Sequence, residues 1–183
     1  MSLHSGTPGE SAGARHLKRG RRMPDLALPT TAGRSVNFAE LSGRAVVFCY
    51  PWTGRPGQPN PPSWDDIPGA HGSTPEAEGF RNLHIGFRDL GIQVFGLSTQ
   101  PSEYQRELVE RLALPYEIVS DEDFALQKKL ALPTFATGGV RYLKRLTLGL
   151  KDGRIDRVYY PVDAPASHAR EVCAWLGMIH RTL

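Results

Sequence analysis

The 183-residue chain (20.2 kDa) suits one domain with a tail to spare, and its 40% hydrophobic and 22% charged residues suffice for a buried core. The net charge of +3 owes much to Arg15, Lys18, Arg19, Arg21 and Arg22, which leaves a nearly neutral body without a broad nucleic-acid face. No run approaches a membrane span of about 20 apolar residues. Two cysteines, Cys49 and Cys173, without CxxC or metal-ligand spacing, argue against a disulfide scaffold or a zinc module, so no metal and no cofactor is expected.

Residues 1–22 read as a flexible basic arm, and 23–183 as one domain. The arm lacks a secretory core, so a cytoplasmic location is expected; its Arg and Ser with few acids also fit an organelle transit peptide, which its glycines and prolines argue against. Short strands are expected at 25–29 and 35–38, and the continuous apolar run 45–50 reads as a central strand buried on both faces. A loop rich in proline and glycine follows, from Pro51 to Gly72. Thr74-Pro75-Glu76 has the composition of a helix start, a capping hydroxyl, a first-turn proline and an acid. Phe80, Leu83, Phe87 and Leu90 then carry one helix to Gly91.

Residues 92–99 form the next strand, and Ser102 with Gln105 has the spacing of a capping box for a helix through Leu112. A strand at 116–119 and a short helix at 121–131 follow. Strands 145–151 and 154–160 flank the hairpin dipeptide Asp152-Gly153. The last helix, 167–180, turns Val172, Trp175, Leu176 and Ile179 inward. The expected fold class is therefore α/β, a central mixed sheet flanked by helices, thioredoxin-like in its order of elements.

Chemistry is expected where the long loop meets the helix at Thr74, because a helix N-terminus offers unpaired N–H groups and a positive partial charge. Arg145 starts a strand that such a fold sets beside this junction, where a guanidinium stabilises developing negative charge.

The segment from Gly72 to Arg81, GSTPEAEGFR, resembles the active-site turn of peroxiredoxins (AhpC/TSA superfamily) of the bacterioferritin comigratory protein or peroxiredoxin Q type. Tyr50-Pro51, the run 90–99, Leu114-Pro115-Tyr116 with Ser120-Asp121, and Lys144-Arg145-Leu146-Thr147 recur in the family's order, so that the resemblance covers about residues 23–177. It implies a thioredoxin-like fold, a hydroperoxide substrate, a thioredoxin-like reductant, no nucleic acid or membrane partner, and a monomer or weak dimer. The peroxide-attacking cysteine of the family falls at Ser73 and its frequent resolving cysteine at Glu78. Pro51 and Arg145 match the family's proline and arginine, and Gly72 and Glu76 fall beside the substrate. The family's threonine falls at Ala70, so that Thr53 or Thr74 is left to supply a hydroxyl.

A serine hydroxyl is barely acidic and has no sulfenic state, so peroxidase activity is expected to be absent as the chain stands. An engineered cysteine-to-serine trap and a natural loss both fit Ser73, and so does a plain helix cap. The alternative function is a natural pseudo-peroxidase that acts as a binding or regulatory module. Cys49 reads as a buried inert thiol and Cys173 as half-buried packing. His71 beside Ser73 invites a serine-nucleophile reading, but Gly-x-Ser-x-Gly is absent and the sequence shows no acid partner.

Overall fold

The computed structural model describes residues 13–182, with side chains as far as Gly177. The first twelve residues of the expected arm, and the inward turn of Ile179, lie outside the described residues.

Two short strands, β1 (Ala27–Pro29) and β2 (Ser35–Asn37), pair antiparallel. β3 (Arg44–Cys49) follows, and then the long insertion, with one 3-10 turn at Trp64–Asp66. Next come α1 (Ser73–Asn82), α2 (His84–Asp89), β4 (Ile92–Ser98), α3 (Ser102–Leu112) and β5 (Glu117–Ser120). The chain closes with α4 (Ala125–Leu130), β6 (Thr134–Thr137), β7 (Val140–Leu143), β8 (Leu146–Lys151), β9 (Arg154–Tyr159) and α5 (Pro165–Thr182).

Five strands form the central sheet in the order β5-β4-β3-β8-β9. β3 pairs parallel with β4, Val46 opposite Val94, and antiparallel with β8, Cys49 opposite Leu146, so the sheet is mixed. β3 feeds both cores, because successive side chains of a strand point to opposite faces. Val46, Phe48 and Tyr50 join Phe80, Phe87, Leu108 and Val172, the core under α1, α3 and α5. Ala45, Val47 and Cys49 face the other way, onto Leu126, Leu130 and Leu148. That two-sided burial is why the run carries no polar residue.

Three local expectations change. The single helix 74–90 breaks at Leu83, and the ring centroids of Phe80 and Phe87 lie 5.7 Å apart, against the roughly 10 Å that two turns of straight helix put between backbones. The expected Ser102–Gln105 capping box does not form. The backbone cap is Pro101, and Gln105 is buried, its amide donating to Ser98 Oγ at 2.9 Å and to the Val119 carbonyl at 3.0 Å, where it ties α3 to two strands. Asp121, placed inside the expected helix 121–131, stands before α4 and accepts from the N–H groups of Leu126 and Gln127, both at 2.9 Å. The β6–β7 hairpin, turning at Gly138-Gly139, was not anticipated; its β6 strand is only half-buried and lacks an apolar run.

The described end of the arm is not free. Leu17 and Met23 are buried, and Nε2 of His16 donates to the carbonyls of Leu130 and Ala131, each at 2.9 Å. Met23 N–H donates to Gly153 and Ile155 N–H to Arg21, both at 2.9 Å, which lays the arm along β9. On the opposite edge, Thr30 bridges to Val119 of β5. The basic composition concealed an apolar anchor, Leu17, and a strand-like backbone that leads into Met23.

Candidate active site

The sheet and α5 hold α1 so that its first turn meets the loop between β7 and β8. Gly72 is the N-cap and Ser73 the first helical residue, two residues earlier than Thr74-Pro75 suggests. Proline is tolerated third in the helix because the early N–H groups have no intrahelical acceptor in any case. The first bond of this turn runs from Glu76 N–H to the Gly72 carbonyl at 3.0 Å. A Cβ at Gly72 would lie 2.8 Å from the Pro165 ring, so the cap of α1 sits directly against the start of α5.

Arg145 reaches this turn from between β7 and β8 with only 3% of its surface exposed. Its Nη2 donates to Ser73 Oγ at 3.1 Å and to the carbonyls of Ala70 (3.1 Å), His71 (3.1 Å) and Gly69 (3.3 Å). Its Nη1 donates to Glu76 Oε1 at 3.1 Å. One guanidinium thus fixes the end of the insertion, the Ser73 hydroxyl and a buried acid. Glu76, expected beside the substrate, is fully buried and serves as the counter-charge of Arg145. Burial pushes its carboxyl up to about 7 although Arg145 pulls the other way.

Ser73 and Thr74 line a cleft of about 330 Å³ together with Gly72, Ala70, Thr53 and Trp52. Thr53 is buried and held by Gln100, whose Nε2 donates to the Thr53 carbonyl at 3.1 Å and whose Oε1 lies 3.4 Å from Thr53 Oγ1. Pro51 is buried where β3 ends and lies outside the cleft lining. Ala70, expected where a threonine would offer a hydroxyl, offers its backbone carbonyl to Arg145 instead. Glu78, expected at the resolving position, lies half-exposed beside Arg81 at 3.8 Å.

Neither cysteine reaches this turn. Cys49 points into the core on the sheet face away from α1, and burial pushes its thiol far up. Cys173 lies on α5 against α2, where a Cβ at Gly86 would sit 3.5 Å from its Sγ; partial burial pushes its thiol up too. His71 does find an acid, Asp65, six residues back in the insertion. Nε2 of its exposed ring pairs with that carboxylate, while the Ser73 hydroxyl is bonded by Arg145, so no serine–histidine relay is assembled. Among the described residues no group of three or more His, Cys, Asp or Glu could hold a metal, and no helix is long and apolar enough to cross a membrane.

His168 of α5 is the other buried titratable group near Arg145. It bonds Thr147 Oγ1 at 2.8 Å, and burial, aided by the Arg145 charge, lowers it to about 4. The two groups push stability in opposite directions with pH. Glu76, raised in the fold, contributes fully below about 4.5 and loses that contribution as pH rises through about 7. His168, depressed in the fold, contributes fully above about 6.5 and loses that contribution as pH falls through about 4. Urea midpoints of Glu76→Gln are therefore expected to fall more steeply than those of the unaltered chain between pH 6.5 and 4.5. Those of His168→Gln are expected to rise over the same window, and parallel curves would contradict both assignments.

No family model matches the chain. Among curated proteins it is 26% identical over 156 residues to the chloroplastic peroxiredoxin Q of Oryza sativa subsp. japonica, covering 85% of this chain and 64% of that protein. To the chloroplastic peroxiredoxin Q of Sedum lineare it is 27% identical, over 85% of this chain and 75% of that one. The chain thus spans about two thirds of its rice relative's length. Its fold superposes with a TM-score of 0.70 on the Xanthomonas campestris bacterioferritin comigratory protein, at 23% identity, covering 89% of this chain and 99% of that one.

By sequence the chain is similar to proteins of the peroxiredoxin Q type, and its fold is thioredoxin-like. This scaffold carries two cysteines, Cys49 and Cys173, both free thiols.

Proposed function

We propose that this scaffold does not reduce hydroperoxides as it stands, because Ser73 holds the position of the attacking thiolate. The observation that carries the reading is the Ser73 hydroxyl, in the first turn of α1 and 3.1 Å from Arg145 Nη2, where an anionic nucleophile would be stabilised. A thiolate there would attack the terminal oxygen of ROOH, form a sulfenic acid and release RO⁻ to be protonated; an alcohol cannot carry the equivalent oxidation. The Xanthomonas relative is described for alkyl peroxide reduction. A cysteine form of this chain would accept the same substrate class and be recycled by a thioredoxin-like thiol. Glu78 supplies no resolving thiol, so its sulfenic acid would need that external reductant or a rearranged Cys173. We place the protein in the cytoplasm, as a monomer or weak dimer.

The test is peroxide consumption with dithiothreitol by the unaltered chain and by Ser73→Cys. The expected result is an inert chain and a cysteine variant that turns over. Turnover by the unaltered chain would overturn the reading and point to Cys49 or Cys173. If neither turns over, the cleft has been remodelled beyond the loss of its sulfur, and the binding-module alternative, motivated by the paired departures at Ser73 and Glu78, takes its place.

A further inference from the structure

The insertion 51–72 has the composition of a mobile loop, yet its inner part is anchored. Trp64 is 4% exposed, with its ring centroid 5.1 Å from Tyr142 and 5.6 Å from Phe135 of the β6–β7 hairpin. Thr137 Oγ1 donates to the Pro62 carbonyl at 2.5 Å. Trp52 meets Trp64 edge-on at 5.5 Å and covers Gly54. The cleft above Ser73 therefore has a preformed aromatic wall, and its roughly 330 Å³ lies at the small end of ligand pockets.

The remaining wall is positive. Arg55 and Arg111 line the cleft, and no Asp or Glu does. Both lean on one acid outside the lining, Glu107, at 3.9 Å and 2.7 Å, so two guanidiniums share a single carboxylate. Arg55 is held over the Tyr104 ring at 4.1 Å, and its buried Nε has no hydrogen-bond partner among the described residues. At the floor, the N–H groups of Ser73 and Thr74 open the ten-residue α1, ahead of its first internal bond. Arg145 is met by Glu76, but nothing in the lining carries a negative charge to answer the helix end and the arginine pair.

We propose that this cleft binds a small organic carboxylate with a planar apolar body. The carboxylate lies at the first turn of α1, within the field of Arg55 and Arg111, and the body lies along Trp52. The inference rests on the reading of Ser73 as a neutral residue where a thiolate would otherwise supply the negative charge. Cations are disfavoured by the same field, and an inorganic anion would leave the tryptophan wall unused.

Calorimetric titration of the full chain tests this with phenylacetate, its uncharged analogue 2-phenylethanol, and inorganic phosphate. Saturable one-to-one binding of phenylacetate is expected, at least about tenfold tighter than the alcohol or phosphate. Arg55→Gln, a change at a partly exposed side chain, is expected to weaken phenylacetate by a similar factor. Ser73→Cys is expected to weaken it as pH rises through the titration of the new thiol. Phosphate binding as tight as phenylacetate, an unchanged Arg55→Gln, or no saturation below about 10 mM would overturn the proposal. Peroxide turnover tests the scaffold reading separately: a cysteine variant that stays inert while the unaltered chain binds phenylacetate removes that reading and leaves this one standing.

Discussion

Replacing Arg145 with methionine is expected to cost about 3–5 kcal/mol of folding stability, the range for leaving one member of a buried ion pair uncompensated. Arg145 and Glu76 have side chains 2% and 0% exposed, so solvent screens neither of them. Methionine fills much of the arginine's volume, which confines the change to charge and hydrogen bonding. It leaves the Glu76 carboxylate buried without a counter-charge and takes the side-chain donor from the carbonyls of Gly69, Ala70 and His71. The urea midpoint should drop accordingly at pH 8, where Glu76 is mostly ionised. Adding Glu76→Gln should then recover part of the loss, since a neutral amide replaces the stranded charge. A loss below about 1 kcal/mol, the worth of an exposed pair, would show that the clamp does not hold the insertion.

Gly153→Ala is expected to cost about 2–5 kcal/mol, through backbone strain plus overpacking. Gly153 has φ of +74°, and a Cβ there would stand 2.3 Å from the Ala39 carbonyl oxygen, a backbone atom with no rotamer to yield. Gly43 is a control in the same corner, where Asp152 Oδ1 accepts its N–H at 2.7 Å. It has φ of +78° with open space around the added Cβ, so Gly43→Ala should cost only the strain, about 1–2 kcal/mol. Thermal melts of the two variants separate the contributions, and equal losses would mean that the Ala39 contact relaxes freely. The effect reaches the site because this turn sets the hairpin of β8, the strand that begins one residue after Arg145.

The sheet and the junction of loop and helix were legible because their signals are local. The apolar run of β3, the Asp152-Gly153 turn and the approach to α1 are each short stretches of sequence, and Arg145 followed from its place at the start of the hairpin strand, a position that the resemblance also matched. What stayed hidden was long-range pairing. Glu76 in the first turn of a helix reads as a complement to the helix dipole, and nothing local announces a partner 69 residues away. Gln105 had the spacing of a cap but satisfies strand groups in the interior. The insertion reads as loose because its prolines and glycines outnumber its anchors, yet one tryptophan against the β6–β7 hairpin is enough to seat it.

An open sheet ends in two rows of unpaired backbone groups, which invite a neighbouring chain to continue it. Here each border has a partner from the chain's own beginning: Thr30 at β5, and residues 20–23 at β9. Residues 20–30 thus act as selvedges that keep the fabric from being stitched to another copy. Trimming the chain to residue 24 would bare the β9 border, and the readily measured cost would be edge-to-edge aggregation and lost solubility before any change in the cleft.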